Sequence, residues 1–267
     1  MNQRATEGAR ILLVDADALA YSCASGVEVA TEWEPGYWTW HCDEYAVKDA
    51  IDAEIAHLLH ELDAAEVKLC LTDSDTYFRK SILPTYKGNR AAVKKPLVLK
   101  SIREWLINER QAYLRPRLEG DDVMGILATW PKLKGEKIIV SIDKDMKTIP
   151  GLYCRDLESG IVHISEDEAD YWHLYQTLVG DQTDGYKGCP GVGPKGAEKA
   201  LTTEPDGGLN PEITHVEWMW DQVVAAYAKA GLGEEEALTQ ARVARILRAS
   251  DYDFDKREPI LWTPPRS

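Results

Sequence analysis

The stretch ILLVDADALAY, residues 11–21, decides how the rest of the chain is read. Ile11, Leu12, Leu13 and Val14 form an unbroken apolar run, the pattern of a parallel strand buried on both faces. The run stops at Asp15, with Asp17 two residues further on. Two uses for such a pair compete: the nucleophile and acid/base pair of a phosphatase, or the first ligands of a catalytic metal. The same grammar recurs twice, because residues 67–71 lead into Asp73 and Asp75, and residues 138–142 into Asp143 and Asp145. Asp favours turns and helix caps, which accounts for any one pair but poorly for three. Amphipathic stretches at 46–62 and 123–130 alternate with the strand-like runs. An α/β fold follows, a mostly parallel central sheet flanked by helices, whose ligands sit outside the carboxyl ends of the strands.

A chain of 267 residues with 44% hydrophobic content can bury a substantial core. No apolar run reaches the roughly 18 residues of a membrane span, and the start, MNQRATEGAR, lacks the apolar core of a signal peptide. A cytoplasmic protein without a membrane partner is expected. The five cysteines (Cys23, Cys42, Cys70, Cys154, Cys189) are scattered with no Cys-x-x-Cys spacing, so neither a disulfide framework nor a zinc site is indicated. The net charge of −14 argues at first against a nucleic-acid partner. Its distribution reverses that impression: residues 79–117 hold eleven Lys and Arg against only Glu104 and Glu109. One basic stretch in an acidic body suggests a local track for a polyanion.

Beyond residue 181 the character changes to a Gly-rich turn and helical segments at 216–230 and 234–249. The tail from 251 to 267, with Pro259, Pro264 and Pro265, reads as irregular chain packed on the body. The aromatic cluster Trp33, Tyr37, Trp38 and Trp40 fits a hairpin, a stacking surface or core packing, and core packing is the expectation.

A fourth acidic group, Glu119, Asp121 and Asp122 in LEGDDVMGILATW, precedes and enters a helix, where the dipole favours acids. A fifth pairs Asp181 with Asp184. Unit charges about 4 Å apart repel by roughly 4 kcal/mol at an effective dielectric of 20, so a convergence of these groups needs cations. Hard divalent ions, Mg²⁺ or Mn²⁺, suit an all-carboxylate set. Two of them about 4 Å apart would clamp an in-line phosphoryl displacement. In CPGVGPKGAEKAL, Gly191, Gly193 and Gly196 permit close backbone approach, and helix N-terminal amides with Lys195 can bind a phosphate. A haloacid-dehalogenase-type phosphatase would use DADA and GDD, but has no use for Asp73, the basic stretch or this loop.

The ordered set VDAD, LTDSDTYFRKSILPTYKGNR, LEGDDVMG, VSIDKDMKTI and VGDQTDGYKGCPGVGPKG resembles the flap endonuclease and 5′→3′ exonuclease family. KKP, EADYWHLYQTLVGDQTDGY and ARILRASDYDF bring it nearest the phage T7 type. The resemblance implies a PIN-like nuclease domain over 1–180, with a helical arch at about 86–117, and a helix–hairpin–helix DNA-binding region over 181–267. It implies metal ligation by Asp15, Asp73, Glu119, Asp121, Asp122, Asp143, Asp145, Asp181 and Asp184, with Asp17 and Asp75 in capping or supporting roles. It places Tyr86, Lys87 and Arg90 near the scissile phosphate, Tyr86 stacking on a terminal base and the two cations neutralising charge. Lys94, Lys95 and the hairpin loop would contact DNA, and in some relatives that loop holds potassium. The implied activity is 5′→3′ hydrolysis of duplex or 5′-flap DNA and of RNA in RNA·DNA hybrids, beside a separate replicative polymerase or single-strand-binding protein. A catalytically silent DNA-binding module is the non-enzymatic alternative.

Overall fold

The computed structural model describes residues 8–73, 76–88, 94–203 and 213–265. Its centre is a six-stranded sheet in the order β5 (Tyr113–Leu114), β4 (Glu66–Leu71), β1 (Arg10–Asp15), β6 (Glu136–Val140), β7 (Gly151–Cys154), β8 (Ile161–Ile164). Neighbours run parallel except β8, which returns antiparallel along β7. β1 is central, and side chains alternate across a strand. Leu12 and Val14 therefore enter one apolar layer and Ile11 and Leu13 the other, all four at most 3% exposed. That two-sided burial is why the sequence shows a continuous apolar run rather than alternation.

The first layer is covered by α1 (Ala16–Val27), α2 (Glu44–Glu61) and α4 (Leu99–Asn108), through Ala20, Ile51, Ile102 and Trp105. The second is covered by α5 (Gly120–Thr129), through Val123, Met124 and Leu127. Burying each large aliphatic side chain stabilises the fold by roughly 1.5–3 kcal/mol. A helical region of α6 (Glu166–Val179), α7 (Pro194–Thr202), α8 (His215–Lys229) and α9 (Glu234–Ala244) has its own core of Leu174, Leu178, Trp220, Tyr227 and Ala241. The tail does pack on this body: the Trp262 ring meets His173 at 5.0 Å and Trp220 at 5.1 Å.

Three expectations need correction. The aromatic cluster is not core: β2 (Val29–Glu34) and β3 (Tyr37–His41) form a separate two-stranded hairpin, on which Trp33 and Tyr37 are 67% and 63% exposed. The basic stretch is not an arch throughout, because α4 buries Ile102, Trp105 and Leu106 against the body, and β5 joins the sheet. The helix expected over 234–249 stops at Ala244, where Arg245 turns extended at ψ 115°.

That stop has a physical cause. The side chain of Arg79, in α3 (Arg79–Ile82), is 3% exposed and spends every N–H group it has. Nε donates to the carbonyl of Val243 at 2.9 Å and Nη2 to that of Arg245 at 2.6 Å. The guanidinium also forks onto both oxygens of Asp122 at 2.7 Å and reaches Glu119 at 2.7 Å. Asp122 in turn accepts the Leu247 amide at 3.1 Å, so the chain leaving α9 is sewn onto α5. Replacing Arg79 with Met removes the cation and strands two buried carboxylates. Urea unfolding of Arg79→Met is expected to show a loss of about 3–5 kcal/mol; a loss under about 1 kcal/mol would refute this joint.

Candidate active site

Three of the parallel strands, β1, β4 and β6, lead into acids at their carboxyl ends. Asp15 closes β1 and caps α1, one carboxylate oxygen accepting the Ala18 amide at 3.0 Å. Burial, with repulsion from Asp143, raises its pKa against the pull of that bond and of Lys87. Asp73 follows β4 and accepts the Arg117 amide at 2.7 Å. Asp143 follows β6 and caps a short 3-10 helix, Lys144–Thr148, by accepting the Asp145 amide at 2.9 Å. Asp17 supports the strand ends: it accepts the Thr72 amide at 2.7 Å and pairs with Arg103, whose guanidinium also reaches the Thr72 carbonyl at 2.6 Å.

The start of α5 supplies the next group. Gly120 presses on β4 so closely that a β-carbon would lie 3.3 Å from the Cys70 carbonyl oxygen, and its amide bonds the Thr72 hydroxyl at 2.9 Å. Asp121 is driven well above the usual carboxylate range, first by burial and then by Asp15. Glu119 behaves oppositely: burial pushes it up, but Arg79 and Lys87 outweigh burial and hold it low. Asp122 is a correction to the ligand set. It is fully buried, and Arg79, the Glu119 amide and the Leu247 amide take both of its oxygens, leaving none for a metal.

Asp181 and Asp184 are placed by a backbone crossing. Gly180 and Gly188, at φ +71° and +66°, lie so close that a β-carbon on either would sit 2.4 Å from the other strand's backbone. The loop between them is closed by two bonds between Asp181 and Tyr186, at 2.9 and 3.0 Å. Asp145 belongs to the same group. Burial, Asp143 and Asp181 push its carboxyl up to about 7, while Gln176 of α6 donates to it.

Tyr86 and Lys87 follow α3. Tyr86 cannot stack on a base: it is 3% exposed, and its hydroxyl lies between Glu119 at 3.1 Å and Asp184 at 2.9 Å. Lys87 sits at φ +53°, a conformation uncommon for a residue with a β-carbon, held by its amide donating to the Asp184 carbonyl at 2.7 Å. Its ammonium meets Glu119 at 2.5 Å and Asp184 at 3.5 Å. Arg90 and Asp75 lie outside the described residues. Lys94 pairs with Glu28 and stands 4.7 Å over the Trp40 ring, whereas Lys95 is exposed. At the start of α7, Gly191, Gly193, Lys195 and Gly196 are exposed, and no atom approaches Gly191 or Gly193 within 4 Å of a built β-carbon.

The fold and the sequence both match known nucleases. A profile of the 5′-3′ exonuclease N-terminal, resolvase-like domain covers residues 10–152. The exodeoxyribonuclease of Enterobacteria phage T3 is 36% identical over 95% of this chain and 93% of its own length. The chain belongs to the 5′-3′ exonuclease family. The exonuclease of Escherichia phage T7 is 35% identical over the same shares, and the flap endonuclease Xni of Vibrio parahaemolyticus 33% over 72% of this chain and 76% of its own. The flap endonuclease of phage T5, solved with DNA and metal ions, shares the fold at TM-score 0.55 and 15% identity, over 88% of this chain and 93% of that one. Sequence reading does not single out Arg79, nor Ser141, whose hydroxyl accepts the Asp143 amide at 3.2 Å, nor Gln176, which donates to Asp145. Arg79 was counted as surface basicity, though its place between Phe78 and Ile82 in an apolar turn signals burial.

The donor set is all oxygen and short of counter-charge, which suits a hard divalent ion. Among the described residues, no three acidic, imidazole or thiol side chains already stand in metal-holding geometry. Glu119 and Asp184 are engaged by Lys87.

Asp145 supplies a pH signature. Its folded pKa lies above the unfolded value, so its contribution is fully present below about 3.9 and is lost as pH rises through about 7. The thermal stability of metal-free protein should therefore fall from about pH 4 to about pH 7, and Asp145→Asn should flatten that slope. An equal slope in the variant would remove Asp145 as its source.

Proposed function

We propose that this chain is a divalent-metal-dependent 5′→3′ exonuclease with flap-endonuclease architecture. It hydrolyses phosphodiester bonds from the 5′ end of duplex DNA, and of RNA paired to DNA, and leaves 5′-phosphates. The observation carrying the reading is the gathering of Asp15, Glu119, Asp121, Asp143, Asp145, Asp181 and Asp184 at the strand ends, with Lys87 reaching among them. Asp15, Asp121 and Asp143 would hold one Mg²⁺ or Mn²⁺, and Asp145, Asp181 and Asp184 a second, with Glu119 and Asp73 at their margins. Bound there, such ions lower the pKa of water and neutralise charge on a phosphodiester.

The protein's own groups do the rest. Tyr86 fixes Glu119 and Asp184 relative to each other through one hydroxyl. Lys87 and Arg90 would neutralise the phosphate oxygens. The N-terminus of α7, with Lys195 and the three glycines, would seat a duplex backbone phosphate, and the same loop is where potassium would bind. Lys94 and Lys95 extend the track towards the 5′ end. Primer removal and recombination in a phage-infected bacterial cytoplasm, beside a separate polymerase or single-strand-binding protein, fit this activity.

The phosphatase reading loses its acid/base: Asp17 is tied to Thr72 and Arg103, and Asp15 is held by Ala18. Product sizing on 5′-labelled blunt and 5′-flap duplexes, with Mg²⁺ and with EDTA, tests the proposal. Labelled mononucleotides from the blunt end are expected; metal-independent release would refute it. Asp143→Asn should abolish cleavage while DNA binding persists, and full activity would break its assignment as a ligand. Lys195→Ala should weaken duplex binding and lower the salt slope by about one counter-ion; an unchanged slope would remove the phosphate contact.

A further inference from the structure

The cleft solves its electrostatic problem with a side chain. Carboxylates from the start of α5 and from the loop after α6 converge there, and the Lys87 ammonium bridges them. The ammonium is only 11% exposed, at 2.5 Å from Glu119 and 3.5 Å from Asp184. The backbone beneath is pinned. The left-handed φ of +53° is held by the bond to the Asp184 carbonyl, and Gly185 allows the Thr85 carbonyl to pass where a β-carbon would lie 3.2 Å from it. A pinned backbone under a four-carbon stem lets the charged tip swing while its root stays put.

These oxygens are the same ones a divalent ion would require, and an ammonium and a dication cannot share them without strong repulsion. We propose that Lys87 is the resident counter-ion of the metal-free cleft, and that divalent-metal loading displaces its ammonium from Glu119 and Asp184 towards the substrate phosphate. The inference rests on the metal reading of the carboxylates given above. It makes metal loading and presentation of the lysine one event: an unloaded cleft keeps Lys87 turned inward, and a loaded one turns it out.

Calorimetric titration of Mn²⁺ into the wild type, Lys87→Met and Lys87→Arg tests the exchange. Removing the competing charge should tighten Mn²⁺ binding by about tenfold in Lys87→Met, while Lys87→Arg stays near the wild type. Equal or weaker affinity in a folded Lys87→Met overturns the exchange and leaves the metal site standing. No Mn²⁺ binding by any of the three overturns the metal reading itself, and the exchange with it. The wild type alone gives a second readout, independent of any variant's folding. Acetylation of Lys87 by acetic anhydride, followed by peptide mass spectrometry, should be slow in EDTA and several-fold faster with saturating Mn²⁺; an unchanged rate beside demonstrated Mn²⁺ binding overturns the proposal.

Discussion

The fold hangs on Arg79. A fully buried guanidinium is costly unless all five of its donors find acceptors, and here carboxylates and main-chain carbonyls from α5 and from the end of α9 supply them. The Asp122 fork is bidentate, the geometry to which a planar guanidinium is suited and an ammonium is not. Because the partners lie about 40 and 165 residues away in sequence, the bond set forms only when the sheet, α5 and the returning chain are all in place. It also orients Glu119, whose other oxygen meets Lys87.

Around that joint the chain tolerates an acidic cleft that opposes folding. Asp15, Asp121 and Asp145 are all raised by burial and by neighbouring carboxylates, Asp143 among them each time, which amounts to stored electrostatic work in the metal-free protein. The supporting bonds come from the backbone: strand-end turns, the first turn of α5 and the crossing of Gly180 over Gly188. No side chain fits at that crossing, so the pair of glycines fixes where Asp181 and Asp184 stand. The cleft is thus built on rigid elements, and Lys87 is a flexible stem rooted in one strained residue beside it.

The β2–β3 hairpin is a different kind of feature. Trp33, Tyr37, Trp38 and Trp40 stay exposed on a two-stranded unit that no layer of the described residues covers, and Lys94 reaches the Trp40 ring. Four large aromatics within eight residues read as core because burial is their usual fate. Strand alternation on a ribbon without a second layer leaves both faces in water, which composition does not reveal.

By itself the sequence determined the α/β architecture, the three strand ends and the acids that follow them. The reason is local: an apolar run buried on both faces, an Asp at the turn and a helix cap are each written in a few adjacent residues. It also announced the glycine-rich loop before α7, since exposed turns carry their own residue signature. Tertiary structure alone decided which acids share a cleft and which serve the fold. Asp121 and Asp122 are neighbours in sequence, yet one faces Asp15 and the other is consumed by Arg79 and Leu247. Tyr86 likewise turned from a stacking ring into a buried hydroxyl between two carboxylates, and the basic stretch divided between exposed residues such as Lys94 and Lys95 and the packed helix α4. Those outcomes depend on partners far along the chain, and only packing brings such partners together.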